Sequence, residues 1–89
     1  MRREPDLRHS ETYTESNFLR LFTAPAEASA DRIVTLEHFC YRPAGERPSG
    51  WECRTIIDRE AMTKEDAVFI AEAFAREHAI PVIYESHED

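Results

Sequence analysis

Residues 31–58 read DRIVTLEHFCYRPAGERPSGWECRTIID. The first twelve are rich in β-branched and aromatic side chains and meet no breaker before Pro43, which predicts a strand. PAGERPSG holds both glycines of the chain and two of its five prolines, and so predicts a loop. WECRTIID resumes the strand pattern. The whole stretch therefore predicts an antiparallel hairpin, whose loop is longer than the tight turns that fix register.

Side chains alternate across a strand. In the first strand Val34, Leu36, His38 and Cys40 share one side, and Ile33, Thr35, Glu37, Phe39 and Tyr41 share the other. In the second, Trp51, Cys53, Thr55 and Ile57 oppose Glu52, Arg54, Ile56 and Asp58. The first set of each strand is the more apolar and is expected to lie beneath a helix. Pairing Arg42 with Trp51 sets Cys40 opposite Cys53 and His38 opposite Thr55. The outer side then carries Phe39, Tyr41 and Ile56 among Glu37, Glu52 and Arg54, more apolar surface than a lone small domain leaves bare.

The helix comes next. MTKEDAVFIAEAFAREHA, residues 62–79, has Thr63 as N-cap and Asp66 in the first turn. Ala67, Ile70, Ala71, Phe74, Ala75 and His78 recur at spacings of three and four and form its expected inner stripe. Pro81 stops it, and IPVIYES predicts a short strand. Upstream, ESNFLRLFTAP fits a short helix capped by Ser16 or Asn17, or a strand with Phe18, Arg20 and Phe22 on one side; the spacing of Phe18, Leu19, Leu21 and Phe22 favours the helix. The Phe18–Phe22 segment is also the nearest candidate to cover the outer side of the hairpin.

The expected fold class is α+β: an antiparallel sheet of three or four strands with one main helix packed on a face. The order is an ambiguous first element, then β-β-α-β. Residues 1–15 lack periodicity and read as a flexible polar tail. Residues 16–86 read as a single domain, and residues 87–89 as a frayed acidic end. No apolar stretch follows the arginines at positions 2 and 3, so a signal peptide is not expected, nor is a membrane span. These features predict a cytoplasmic chain with reduced thiols.

Charge narrows the function. The formal net charge is −7, and residues 60–89 alone carry eight acidic and two basic groups. Phosphate binding needs clustered cations, so direct nucleic-acid binding is disfavoured. An acidic face suits a basic protein partner, although it also serves solubility.

Candidate chemistry is sparse. His38, Cys40 and Cys53 form the one conceivable metal or thiol site. A zinc site with three protein ligands is chemically feasible, but no second closely spaced ligand pair supports it. Small core thiols beside a hydrogen-bonded histidine account for the same letters. His9, His78 and His87 are scattered over tail, helix end and terminus. Cysteine nucleophiles need an exposed, stabilised thiolate, which inward-facing strand positions do not provide. No glycine-rich loop offers a phosphate cradle.

The sequence thus predicts a small acidic interaction or regulatory domain, non-catalytic and without a cofactor. It would act as a homodimer or a subunit of a complex with a protein partner. The interaction candidates are Phe39, Tyr41, Arg54 and Ile56 on the sheet and Glu65, Phe69 and Glu72 on the helix. Phe69 is expected first as a wide-stripe core residue packed on the N-terminal segment and otherwise as an aromatic anchor among the acids. The competing expectations are a small-molecule or metal-binding domain centred on His38, Cys40 and Cys53, and an acidic inhibitor that mimics nucleic acid.

Overall fold

Helix α1 (Lys64–Glu77) lies across one face of a five-stranded sheet. The strands are β1 (Asp6–Arg8), β2 (Asn17–Pro25), β3 (Arg32–Arg42), β4 (Gly50–Met62) and β5 (Val82–His87), and their order in the sheet is β1-β5-β2-β3-β4. The computed structural model describes residues 4–9, 13–26, 31–45 and 50–88. The α+β class and, among the described residues, the one main helix packed on a face match expectation. The sheet differs in detail. It has five strands and is mixed: β5 runs parallel to both β1 and β2, while β2–β3 and β3–β4 are antiparallel.

The ambiguous first element is a strand, not a helix. β2 lies between β3 and β5, with Leu19 and Leu21 fully buried on one side and Phe18 buried on the other. A central strand is apolar on both faces, so its alternation is blurred and imitates a short helical stripe. The segment read as a tail also contributes. Residues 6–8 pair with Val82, Ile83 and Tyr84, and Asp6 N donates to Pro81 O at 2.9 Å. At the other end His87 stands opposite Thr23, and Glu88 N donates to Thr23 O at 2.8 Å. The remaining parts of the expected tail and frayed end (1–3, 10–12 and 89), of the linker (27–30) and of the hairpin loop (46–49) lie outside the described residues.

The main core sits between α1 and the sheet. Ala67, Ala71 and Ala75 press a narrow, fully buried stripe onto Leu19, Leu21, Val34, Leu36, Ile57 and Ile83. Alanines at this seam let the helix approach the sheet closely, and Val68, Phe74 and Ile56 close its edges. Ile70, expected on the inner stripe, is exposed instead. Three consecutive alanine turns set the rotation of the helix, and Ile70 falls to one side of them.

Both helix ends are capped. The Thr63 hydroxyl accepts from Asp66 N at 3.1 Å, and Glu65 and Asp66 place negative charge in the first turn. At the C-terminus Ile80 N donates to Ala75 O at 2.8 Å and Ala79 N to Arg76 O at 3.4 Å, the two bonds of a Schellman motif. That motif needs a left-handed residue, and Ala79 supplies it at φ 54°. Ile80 then folds back into the core.

Candidate functional site

The expected register of the hairpin is one residue out. Arg42 pairs with Gly50, Tyr41 with Trp51, Phe39 with Cys53 and His38 with Arg54. A one-residue slip turns every side chain to the other face. Cys53 and Trp51 therefore leave the sheet on the side away from α1, while Glu52 and Arg54 lie on the helix side with His38 and Cys40. Nearer the helix, register shifts on either side of Leu36 restore Ile57 to the core, with Arg59 at φ 51° in the irregular stretch. Trp51, Cys53, Thr55 and Ile57 thus look like one face in sequence but are divided between two.

This arrangement separates the expected metal trio. Cys40 is partly buried and Cys53 exposed, both as free thiols. Cys53 is not the small core thiol foreseen: its Sγ donates to Glu37 Oε2 at 3.7 Å. Partial burial, then the Glu37 carboxylate, push the Cys53 thiol up from its ordinary range, which disfavours the reactive thiolate.

The face away from α1 carries an aromatic row. Tyr84 meets Phe18 edge-on at 5.1 Å, Phe18 stacks on Phe39 at 5.2 Å, and Trp51 meets Phe18 at 5.9 Å and Tyr41 at 5.5 Å. Tyr13 stacks on Phe18 at 5.1 Å, and its neighbour Thr14 donates its backbone N–H to Tyr84 Oη at 3.0 Å. Six rings are therefore continuous, buried at Phe18 and Tyr84 in the middle and exposed at both ends, 42% at Tyr13 and 43% and 58% at Tyr41 and Trp51. Charges beside the row are paired: Arg20 with Glu37 at 3.5 Å, and Arg8 with Asp6 at 2.8 Å and Glu15 at 3.3 Å. Arg20 Nε is buried without a hydrogen-bond partner among the described residues.

Phe39 and Tyr41 stand on this outer face as expected. Arg54 and Ile56 do not: Arg54 lies on the helix side, and Ile56 packs against the main core. Tyr13, Phe18, Trp51 and Tyr84 were missed. Once β2 is a central strand, the pairing of Phe18 with Phe39 and Val82 is the signal that assembles the row.

Two further surfaces flank α1. A cleft of about 200 Å³ is lined by His38, Cys40, Arg42, Glu52, Arg54, Phe74 and His78. His38 Nε2 donates to Asn17 Oδ1 at 2.7 Å, and partial burial, followed by the charges of His78 and Arg54, lowers its pKa against the opposing pull of Glu52. Arg42 Nε donates to Glu52 Oε2 at 2.8 Å. On the outside of the helix, Lys64, Glu65, Val68, Phe69 and Glu72 line a shallow apolar groove, and Phe69 is 69% exposed. Glu65, Phe69 and Glu72 thus share one surface, and Phe69 is not the wide-stripe core residue that the sequence favoured.

No family model, curated protein or solved structure is similar to this chain. Among the described residues, no helix is long and apolar enough to cross a membrane.

Proposed function

We propose that this chain is a protein-interaction domain that self-associates through the aromatic face of its sheet. The observation that carries this reading is the ring row ending in Tyr41 and Trp51, on the side of the sheet opposite α1. Large, half-exposed aromatics in a contiguous patch are the form of an interface centre, because they bury much area at little entropic cost.

Charge favours a second copy as the occupant. An acidic chain of net charge −7 repels itself wherever its acidic surfaces meet. On the aromatic face the arginines are matched by neighbouring carboxylates, so two copies can approach there with their acidic helices turned outward. In such a dimer each outward helix presents Phe69 between Glu65 and Glu72, a surface suited to a basic, partly apolar partner segment.

Sedimentation equilibrium over the micromolar range tests the reading. The intact chain is expected to be a dimer, and the double variant Tyr41→Ala/Trp51→Ala a monomer that still melts cooperatively. A wild-type chain that remains monomeric, or a double variant that dimerises as tightly as wild type, overturns it.

A further inference from the structure

We infer a divalent transition-metal site of the zinc class at His9, Glu85 and His87. The residues come from opposite ends of the chain, and the parallel β1–β5 pairing brings them together. Arg8 stands beside Tyr84 in that ladder, so His9, the next residue, arrives level with Glu85. Glu85 and His87 are two apart on β5 and share a face. One ligand atom from each of the three lies within 4.8 Å of the others.

The donor set suits such an ion. Two imidazoles and one carboxylate are a common zinc trio, with a fourth position left to water. A tetrahedral ion about 2.1 Å from each ligand needs donors about 3.4 Å apart. His9 is exposed with its ring centroid 6.4 Å from that of His87, while Glu85 and His87 already touch. Coordination would replace their mutual hydrogen bond and spread the two groups by less than an ångström.

Two further observations point to the same ion. The Glu85 side chain is only 1% exposed, a carboxylate held inside the fold that already draws Lys64 Nζ to 3.5 Å and the His87 ring into contact, a place where the fold demands positive charge. An ionised carboxylate in such a place needs strong compensation. The second observation is the support behind His87. Its Nδ1 lies 2.6 Å from Thr23 Oγ1, and Thr23 Oγ1 accepts from Arg32 Nε at 2.8 Å. Metal-bound histidines are oriented by a hydrogen bond on the ring nitrogen that does not bind the metal, and Thr23 occupies that place. Binding the ion at Nε2 requires the ring to give up the proton it shares with Glu85, after which Nδ1–H donates to Thr23 and the Nε2 lone pair is left for the metal.

The site is independent of the aromatic face and of dimerisation. Its expected effect is to fasten β1 to β5.

Calorimetric titration of the full chain with Zn²⁺ tests it, in a Cys40→Ser/Cys53→Ser background so that thiols cannot bind the metal. One Zn²⁺ per chain is expected, with a rise in melting temperature. His9→Ala should weaken binding at least tenfold, with its metal-free melt measured beside that of the parent to separate lost ligation from lost stability. Lys64→Ala should strengthen it by removing the competing ammonium. Absence of Zn²⁺ binding, or binding that His9→Ala leaves unchanged, overturns the inference.

Discussion

Phe39 stands directly opposite Cys53 across the β3–β4 ladder, so Cys40 and Cys53 leave the sheet on opposite faces. A disulfide needs Cβ atoms about 3.8 Å apart and pointing toward each other. Oxidation is therefore expected to produce no intramolecular bridge, and intact-mass analysis after alkylation in denaturant should find both thiols within each chain unlinked. With its pKa raised, Cys53 should also alkylate more slowly at neutral pH than an ordinary free thiol. Glu37→Gln, which removes the second-largest cause of that shift, should speed the reaction.

His38 makes stability depend on pH. Its folded pKa lies below the ordinary 6.5, so the unfolded chain takes up this proton first as the pH falls. The contribution is fully present above about pH 6.5 and is lost as the pH drops toward the folded pKa. The melting temperature is expected to decline on the acid side of that point, and His38→Gln should flatten part of the decline. An unchanged acid limb in the variant would place the effect elsewhere.

The ends of α1 offer opposed changes. Thr63→Ala removes the cap on Asp66 N and should cost about 1 kcal/mol. Ala79→Gly relieves a left-handed alanine at the Schellman position and should stabilise the protein by about 0.5–1 kcal/mol. Chemical denaturation of both variants beside wild type reads the two signs in one experiment.

Helix and sheet surfaces should separate cleanly from the core. Leu21→Ala empties a fully buried position and should cost about 2–5 kcal/mol. Phe69→Ala alters a ring that is mostly in solvent and should change stability by no more than about 0.5 kcal/mol. If Phe69→Ala were as damaging as Leu21→Ala, the ring would belong to the fold and not to a docking surface.

The sequence carried the class of fold and missed its wiring, for identifiable reasons. The α1 signals were local: a threonine cap, a first-turn acid, alanines at helical spacing and a proline stop. Strand parity in β3 was equally plain. β4 was misread because its faces exchange at the two register shifts that flank Leu36, and a period-two pattern cannot show where extra residues are inserted. β1 has only three residues, too few for any periodicity, and its existence depends on a partner strand more than seventy positions later. The same separation hid His9, Glu85 and His87, which no spacing rule would join. Phe39 and Tyr41 were legible because their strand runs without interruption; the other four rings of the row waited on pairing partners.

The strand order has a consequence for the timing of assembly. The β2–β3–β4 meander joins neighbours in sequence and can form as soon as residue 62 is available. β5 then enters beside β2 only after α1 has crossed the face, and β1 has no edge to join until β5 is in place. β1 is thus expected to be seated after β5, and loop closure over the distance between them to slow that step. Until then the buried run Val82–Tyr84 offers its open backbone edge to any passing strand, its own or another copy's. Three residues near the beginning of the chain therefore act as a latch on that edge.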